Sequence, residues 1–168
     1  VEWQISSGTD GIVPCGTTGE AVTLTASERA QVVRRVVRQA RGRVPVIAGT
    51  GSNSTAATVA LTRDARRAGA DGALVVTPYY NKPTQDGLYA HFRRVAREAG
   101  GLPIVLYNVP SRTAVALTPQ TTARLSKVPG IVATKEAAGL ESASRVMGSC
   151  GLPVLCGDDA LTFPMMSL

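Results

Sequence analysis

"PIVLYNVPSRT", residues 103–113, reads as a strand that ends in chemistry. Ile104, Val105 and Leu106 are apolar and mostly β-branched, the composition of a strand buried on both faces. Alternation along such a strand puts Pro103, Val105 and Tyr107 on one side. Past Asn108 the chain turns through Pro110, which fixes its φ, and presents Arg112 from a loop. Short apolar runs of the same kind recur as "GIVPC" from Gly11, "VPVIAG" from Val44, "GALVVT" from Gly72, "IVATK" from Ile131 and "PVLCG" from Pro153. Six strands are therefore expected.

Helical periodicity fills the gaps, over 25–40, 55–68, 86–99, 118–125 and 141–147. Thr25 and Glu28 have the spacing of a capping box, and Thr118 precedes a proline at the first helical position. Strands alternating with helices at intervals of about 30 residues imply parallel βα units. No repeat or low-complexity linker divides them, so residues 1–168 read as a single α/β domain.

An open doubly wound sheet and a closed (β/α)8 TIM barrel both satisfy that pattern. "GTGSNS" at 49–54 lacks the last glycine of a dinucleotide fingerprint, and no phosphate-binding P-loop motif occurs. Distinctive polar residues instead gather where the strands end. They are Thr17 and Thr18, then Thr77, Tyr79 and Tyr80, then Tyr107 and Arg112, then Lys135, then Asp158 and Asp159. In a barrel those ends form one face, the face that carries the active site.

Composition removes several classes of function. The net charge of +6 invites a nucleic-acid surface, but the arginines cluster in helical stretches (Arg29, Arg34, Arg35, Arg38; Arg63, Arg66, Arg67; Arg93, Arg94, Arg97), as solvated helix faces place them. Aromatic residues make up only 4% and no nucleic-acid motif is present, so no nucleic-acid partner is expected. Cys15, Cys150 and Cys156 are odd in number and lack CxxC spacing, and His91 is the only histidine; they read as small hydrophobes, with neither a disulfide framework nor a metal site. Nothing resembles a membrane span or a signal peptide, which makes the cytoplasm the default location.

Lys135 closes the "IVATK" run in a chain with fifteen arginines and three lysines. Alternation places Ile131, Ala133 and Lys135 on one face. A lysine among apolar strand residues is partly desolvated, and desolvation favours the free amine that attacks a carbonyl. The alternative is a lysine that leaves the strand for solvent or pairs with Glu136. Tyr107 offers a phenol within reach of the same centre, or is a core tyrosine with a satisfied hydroxyl. "GTTGE", 16–20, puts two hydroxyls and backbone donors in one turn, which suits a carboxylate or is a plain strand-to-helix turn. Arg112 has the fork for a second carboxylate, or is a surface arginine.

"GTTGE" (16–20), "VTPYYNKP" (76–83), "YNVPSRT" (107–113), "KEAAG" (135–139) and "GDD" (157–159), in that order and spacing, resemble the dihydrodipicolinate synthase family of pyruvate-dependent class I aldolases. The likeness covers nearly the whole chain. It implies Schiff-base condensation of pyruvate with L-aspartate-4-semialdehyde to 4-hydroxy-tetrahydrodipicolinate, in diaminopimelate and lysine synthesis, with no cofactor. Lys135 is then the nucleophile, and Tyr107 the proton carrier, linked through Thr17 to Tyr80 of a neighbouring subunit. Thr18, Arg112 and Gly157 bind substrate. A homo-oligomer, a tetramer built as a dimer of dimers, is implied as well. Other pyruvate aldolases, of sialic-acid or sugar-acid type, share the lysine and the tyrosine but usually lack an arginine matching Arg112; a catalytically silent fragment is the remaining reading.

Three departures from the family pattern stand out. Ala138 occupies a place where serine or threonine is common. Ala26 and Ala57 replace a histidine and a glutamate of the lysine-sensing pocket, while Asn53 and Tyr79 keep the pattern, so feedback by lysine is expected to be weak. By the resemblance the chain holds barrel strands two to seven, with the first strand, the eighth strand and the C-terminal helical region outside it. With its "GIVPC" and "PVLCG" edges unpaired, the chain alone is expected to be poorly soluble and to have little condensation activity.

Overall fold

A computed structural model describes residues 1–168. Its centre is a five-stranded parallel sheet with sequential order, β1 (Ile47–Gly49), β2 (Gly72–Val76), β3 (Ile104–Asn108), β4 (Ile131–Glu136) and β5 (Val154–Cys156). The eight helices are α1 (Glu2–Ser6), α2 (Ala26–Ala40), α3 (Thr55–Arg67), α4 (Gln85–Glu98), α5 (Pro110–Thr113), α6 (Pro119–Leu125), α7 (Leu140–Ser149) and α8 (Thr162–Met166). Every strand pairs with the next in the chain, so the order never reverses and there is no switch point of the kind that marks a doubly wound sheet. The arrangement is that of consecutive barrel units.

Packing agrees. Ala73, Val75, Ile104, Leu106 and Ile131 join Val33 of α2, Val59 of α3, Leu88, Phe92 and Val95 of α4 and Leu125 of α6 in one core. A second, smaller cluster of Leu74, Val105, Tyr107, Val109 and Ala133 lies on the opposite face of the sheet and contains no residue of a long helix. Helices thus cover one face, and the other is the inner wall. Two helix starts are those expected, with Thr25 and Glu28 forming the complete capping box and Thr118 capping α6 through its side chain; Thr84 caps α4 in the same way, and α4 starts one residue earlier than expected.

Two strand expectations are corrected. The run from Gly11 is no strand but a single bridge, Ile12 to Val46. Ile12 donates to Pro45 at 3.0 Å, Ile47 to Ile12 at 2.9 Å and Gly49 to Pro14 at 2.9 Å. Pro14 has no N–H with which to continue the ladder, and Cys15 turns the chain at φ 56°. Five strands and a bridge therefore stand where six strands were expected. In β4, Ile104 pairs with Ile131 but Val105 pairs with Ala133, so Val132 is the extra residue of a bulge. Ile131 consequently joins the helix-side core, and only Ala133 and Lys135 face inward.

Arg29 is also corrected: it is buried, with its Nε donating to the Ala21 carbonyl at 2.9 Å, while its helix neighbours Arg34, Arg35 and Arg38 are exposed. Its place on the Arg29, Val33, Ala40 stripe of α2 is legible in the spacing. His91 is enclosed between α3 and α4, its Nδ1 2.9 Å from the Thr55 hydroxyl, and burial lowers its pKa to about 4, so it packs as a neutral ring. No helix is long and apolar enough to cross a membrane.

Candidate active site

The site is built on the β3–β4 ladder. Tyr107 and Lys135 are register partners, so their side chains leave neighbouring strands side by side on the inner wall. The Lys135 Nζ sits over the Tyr107 ring, 4.7 Å from its centroid. Tyr107 is buried and Lys135 half-buried. The reading in which Lys135 pairs with Glu136 is not what forms: Glu136 points to the helix side and is fully enclosed.

Gly157, just after β5, closes the pair from the other strand. Its N–H donates to the Glu136 carbonyl at 2.7 Å, and a Cβ there would lie 2.9 Å from the Ala137 Cβ and 3.1 Å from the Lys135 Cε. Only glycine leaves the lysine stem where it is. Gly157→Ala is expected to push Lys135 aside and slow its reaction with a carbonyl by about tenfold to a hundredfold. Stopped-flow adduct formation measures this, and a wild-type rate would show that the stem gives way freely.

The first turn supplies the next wall. Cys15 and Glu20 adopt left-handed backbone, at φ 56° and 52°, which folds 16–20 into a knot with Gly19 donating to the Gly16 carbonyl and Glu20 to the Thr17 carbonyl, each at 3.1 Å. The N–H groups of Thr17 and Thr18 make no hydrogen bond within the chain. The knot presses so closely on β1 that a Cβ on Gly49 would stand 1.9 Å from the Cys15 carbonyl oxygen. Burial pushes the Cys15 thiol up, and it packs as an uncharged group.

Thr17, Tyr107, Arg112, Tyr79, Tyr80 and Lys82 all line one cavity of about 680 Å³. Pro110 opens α5 and Arg112 lies in its last turn, with no ion-pair partner in the chain. Tyr80, at φ 74°, is 87% exposed and projects from the rim. No hydrogen bond joins the hydroxyls of Tyr107, Thr17 and Tyr80 within the chain. Thr18 is exposed and stands outside the cavity lining. The structure therefore brings together Lys135, Tyr107 and Gly157, and sets Thr17, Arg112 and Tyr80 around the cavity that Tyr107 lines. Sequence reading gave no site role to Lys82 or to Arg29, which also line that cavity. For Arg29 the helical stripe was the available signal.

A primary amine beside a phenol, near a cavity with unengaged N–H groups at one wall and a guanidinium at the mouth, has the groups needed to form an imine with a carbonyl compound that carries a carboxylate. No cluster of metal-ligating side chains is present.

The model of the dihydrodipicolinate synthetase family matches residues 1–168. The 4-hydroxy-tetrahydrodipicolinate synthase of Geotalea daltonii is 60% identical over 170 residues, covering 99% of this chain and 58% of its own. The crystal structure of dihydrodipicolinate synthase from Aquifex aeolicus superposes with a TM-score of 0.95 at 50% identity, over 99% of this chain and 58% of that one. The chloride-inhibited dihydrodipicolinate synthase from Acinetobacter baumannii, complexed with pyruvate, gives 0.92 at 46% identity, over 98% and 57%. The chain thus spans somewhat over half the length of the relatives it matches.

Proposed function

The chain belongs to the dihydrodipicolinate synthetase family, and from that premise we propose that it carries the Schiff-base centre of an enzyme condensing pyruvate with L-aspartate-4-semialdehyde to 4-hydroxy-tetrahydrodipicolinate. The observation that carries the proposal is the Lys135–Tyr107 register pair, with the amine 4.7 Å from the phenol ring's centre. The Lys135 amine adds to C2 of pyruvate, and loss of water leaves an iminium. That cation draws electrons from the methyl carbon, which gives up a proton to become an enamine. The enamine carbon attacks the aldehyde, forming the new C–C bond and regenerating the iminium, and the aldehyde oxygen takes a proton; the amino group of the semialdehyde portion then attacks C2 and expels the Lys135 amine, which closes the ring and frees the enzyme. Tyr107 carries these protons through its hydroxyl.

The knot at 16–20 accepts the pyruvate carboxylate, through the N–H groups of Thr17 and Thr18 and the Thr18 hydroxyl. Arg112 takes the carboxylate of the semialdehyde. Tyr80, projecting as it does, serves the cavity of a neighbouring subunit in a homo-oligomer, a tetramer arranged as a dimer of dimers, and completes the Tyr107–Thr17 relay there. The enzyme works in the cytoplasm, within diaminopimelate and lysine synthesis.

Turnover is tested on the chain itself and on a chimera in which the Geotalea daltonii segments outside the match flank it. Pyruvate is offered with aspartate semialdehyde and, separately, with sugar aldehydes. Preference for the semialdehyde supports the proposal, and preference for a sugar aldehyde overturns it. Since imine formation precedes engagement of the second substrate, Arg112→Ala is expected to leave pyruvate trapping within about threefold of wild type while lowering kcat/KM for the semialdehyde by about a hundredfold or more. Equal loss of both would place Arg112 in the pyruvate site.

A further inference from the structure

We propose that Glu136 is a positioning residue, whose buried carboxyl group fixes the spacing of Lys135 and Tyr107 by tying β4, which carries Lys135, to β3, which carries Tyr107, and to α7 behind them. It follows Lys135 in β4 and shows no exposed surface, and neither does Asn108, its register partner in β3. The Asn108 Nδ2 donates to both carboxyl oxygens of Glu136, at 3.4 and 3.1 Å, and to the Leu117 carbonyl at 3.2 Å; the Asn108 Oδ1 accepts from the Leu117 N–H at 2.9 Å. The Ser142 hydroxyl of α7 donates to Glu136 Oε2 at 3.0 Å. Through its main chain Glu136 accepts the Gly157 N–H, and the next residue, Ala137, donates to the Asn108 carbonyl at 2.9 Å.

The same pair of strands therefore holds two stacked cross-strand pairs. Tyr107 and Lys135 lie on the inner face, where Tyr107 but not Lys135 lines the cavity, and Asn108 and Glu136 face the helices directly behind them. Any sliding of β3 against β4 that separates the reactive pair must also break the polar pair, whose groups have no water to turn to. A carboxyl enclosed without a cation is an expensive choice for packing alone, because an apolar side chain of that volume would fill the space. Burial pushes this carboxyl up from the usual range, with the Asn108 and Ser142 hydrogen bonds offsetting part of the rise. Hydrogen bonding, not charge pairing with Lys135, is what the group supplies.

The inference rests on Lys135 as the nucleophile of the proposed function. Its test measures the rate at which borohydride-trapped pyruvate accumulates, in the chain and in the flanked chimera, together with KM for pyruvate. Glu136→Leu is expected to slow trapping by about tenfold or more with KM within about twofold, since the carboxylate-binding knot lies on another element. Glu136→Gln keeps an acceptor for Ser142 and Asn108 and is expected to trap pyruvate at close to the wild-type rate. Should Glu136→Leu fail to fold, Ser142→Ala, which removes a single donor, is expected to show the same split at about threefold. Wild-type trapping rates in the Leu and Ala variants, or a loss in the Gln variant equal to that in the Leu variant, would overturn positioning by hydrogen bonds. A wild-type chimera that traps no pyruvate would instead bring down the functional assignment beneath it.

Discussion

Lys135→Arg is expected to abolish condensation, by on the order of 10⁴-fold or more, while leaving the fold intact. Arginine keeps the positive charge and most of the stem that lies over the Tyr107 ring, so the cation–π contact survives. What is lost is the amine: a guanidinium does not deprotonate at neutral pH and cannot form the imine. Circular dichroism and thermal melting should match wild type, and product formation should fall to background. A variant retaining a tenth of the activity would mean that the lysine serves as a fixed charge and that another group is the nucleophile.

The second large effect is expected at Tyr107→Phe. The ring's packing in the inner cluster with Leu74, Val105 and Ala133 is preserved, and only the hydroxyl disappears. Positioned proton transfer contributes about a hundredfold to ten-thousandfold, and kcat should fall within that range with little change in stability. Exchange of the pyruvate methyl protons with deuterium, followed by NMR, reports the affected step directly. Unchanged exchange and turnover would remove Tyr107 from the proton path and leave it as the floor beneath the Lys135 stem.

The sheet was largely legible because its strands are continuous apolar runs and its helices carry strong caps. Five of the six runs form strands, and the inward direction of Val105 and Tyr107 follows from simple alternation. Two failures have the same origin: alternation assumes an unbroken ladder. Pro14 removes a donor and reduces the first run to a bridge, and Val132 inserts one residue that rotates Ile131 to the helix side. No periodicity argument counts a bulge in advance.

At the site, Lys135 and Tyr107 could be named as candidates from residue type, but their adjacency depends on the register between strands that lie some thirty residues apart. Register is a tertiary fact. Glu136 shows the limit most clearly: beside a lysine in sequence it suggests a salt bridge, yet the two side chains leave opposite faces of the strand. Arg29 was misread for the converse reason. Charge suggested solvent, whereas its position on the apolar stripe of α2 and the Ala21 carbonyl within reach hold it inside.

The proposed chemistry requires Lys135 to be the group that bonds to pyruvate. Reduction with borohydride in the presence of pyruvate, followed by peptide mapping of the chain by mass spectrometry, tests this most directly. One reduced pyruvyl group on the peptide containing Lys135, and none on those containing Lys82 or Lys127, is the expected result; label on Lys82, the lysine that lines the cavity, or no label in the flanked chimera, would contradict it.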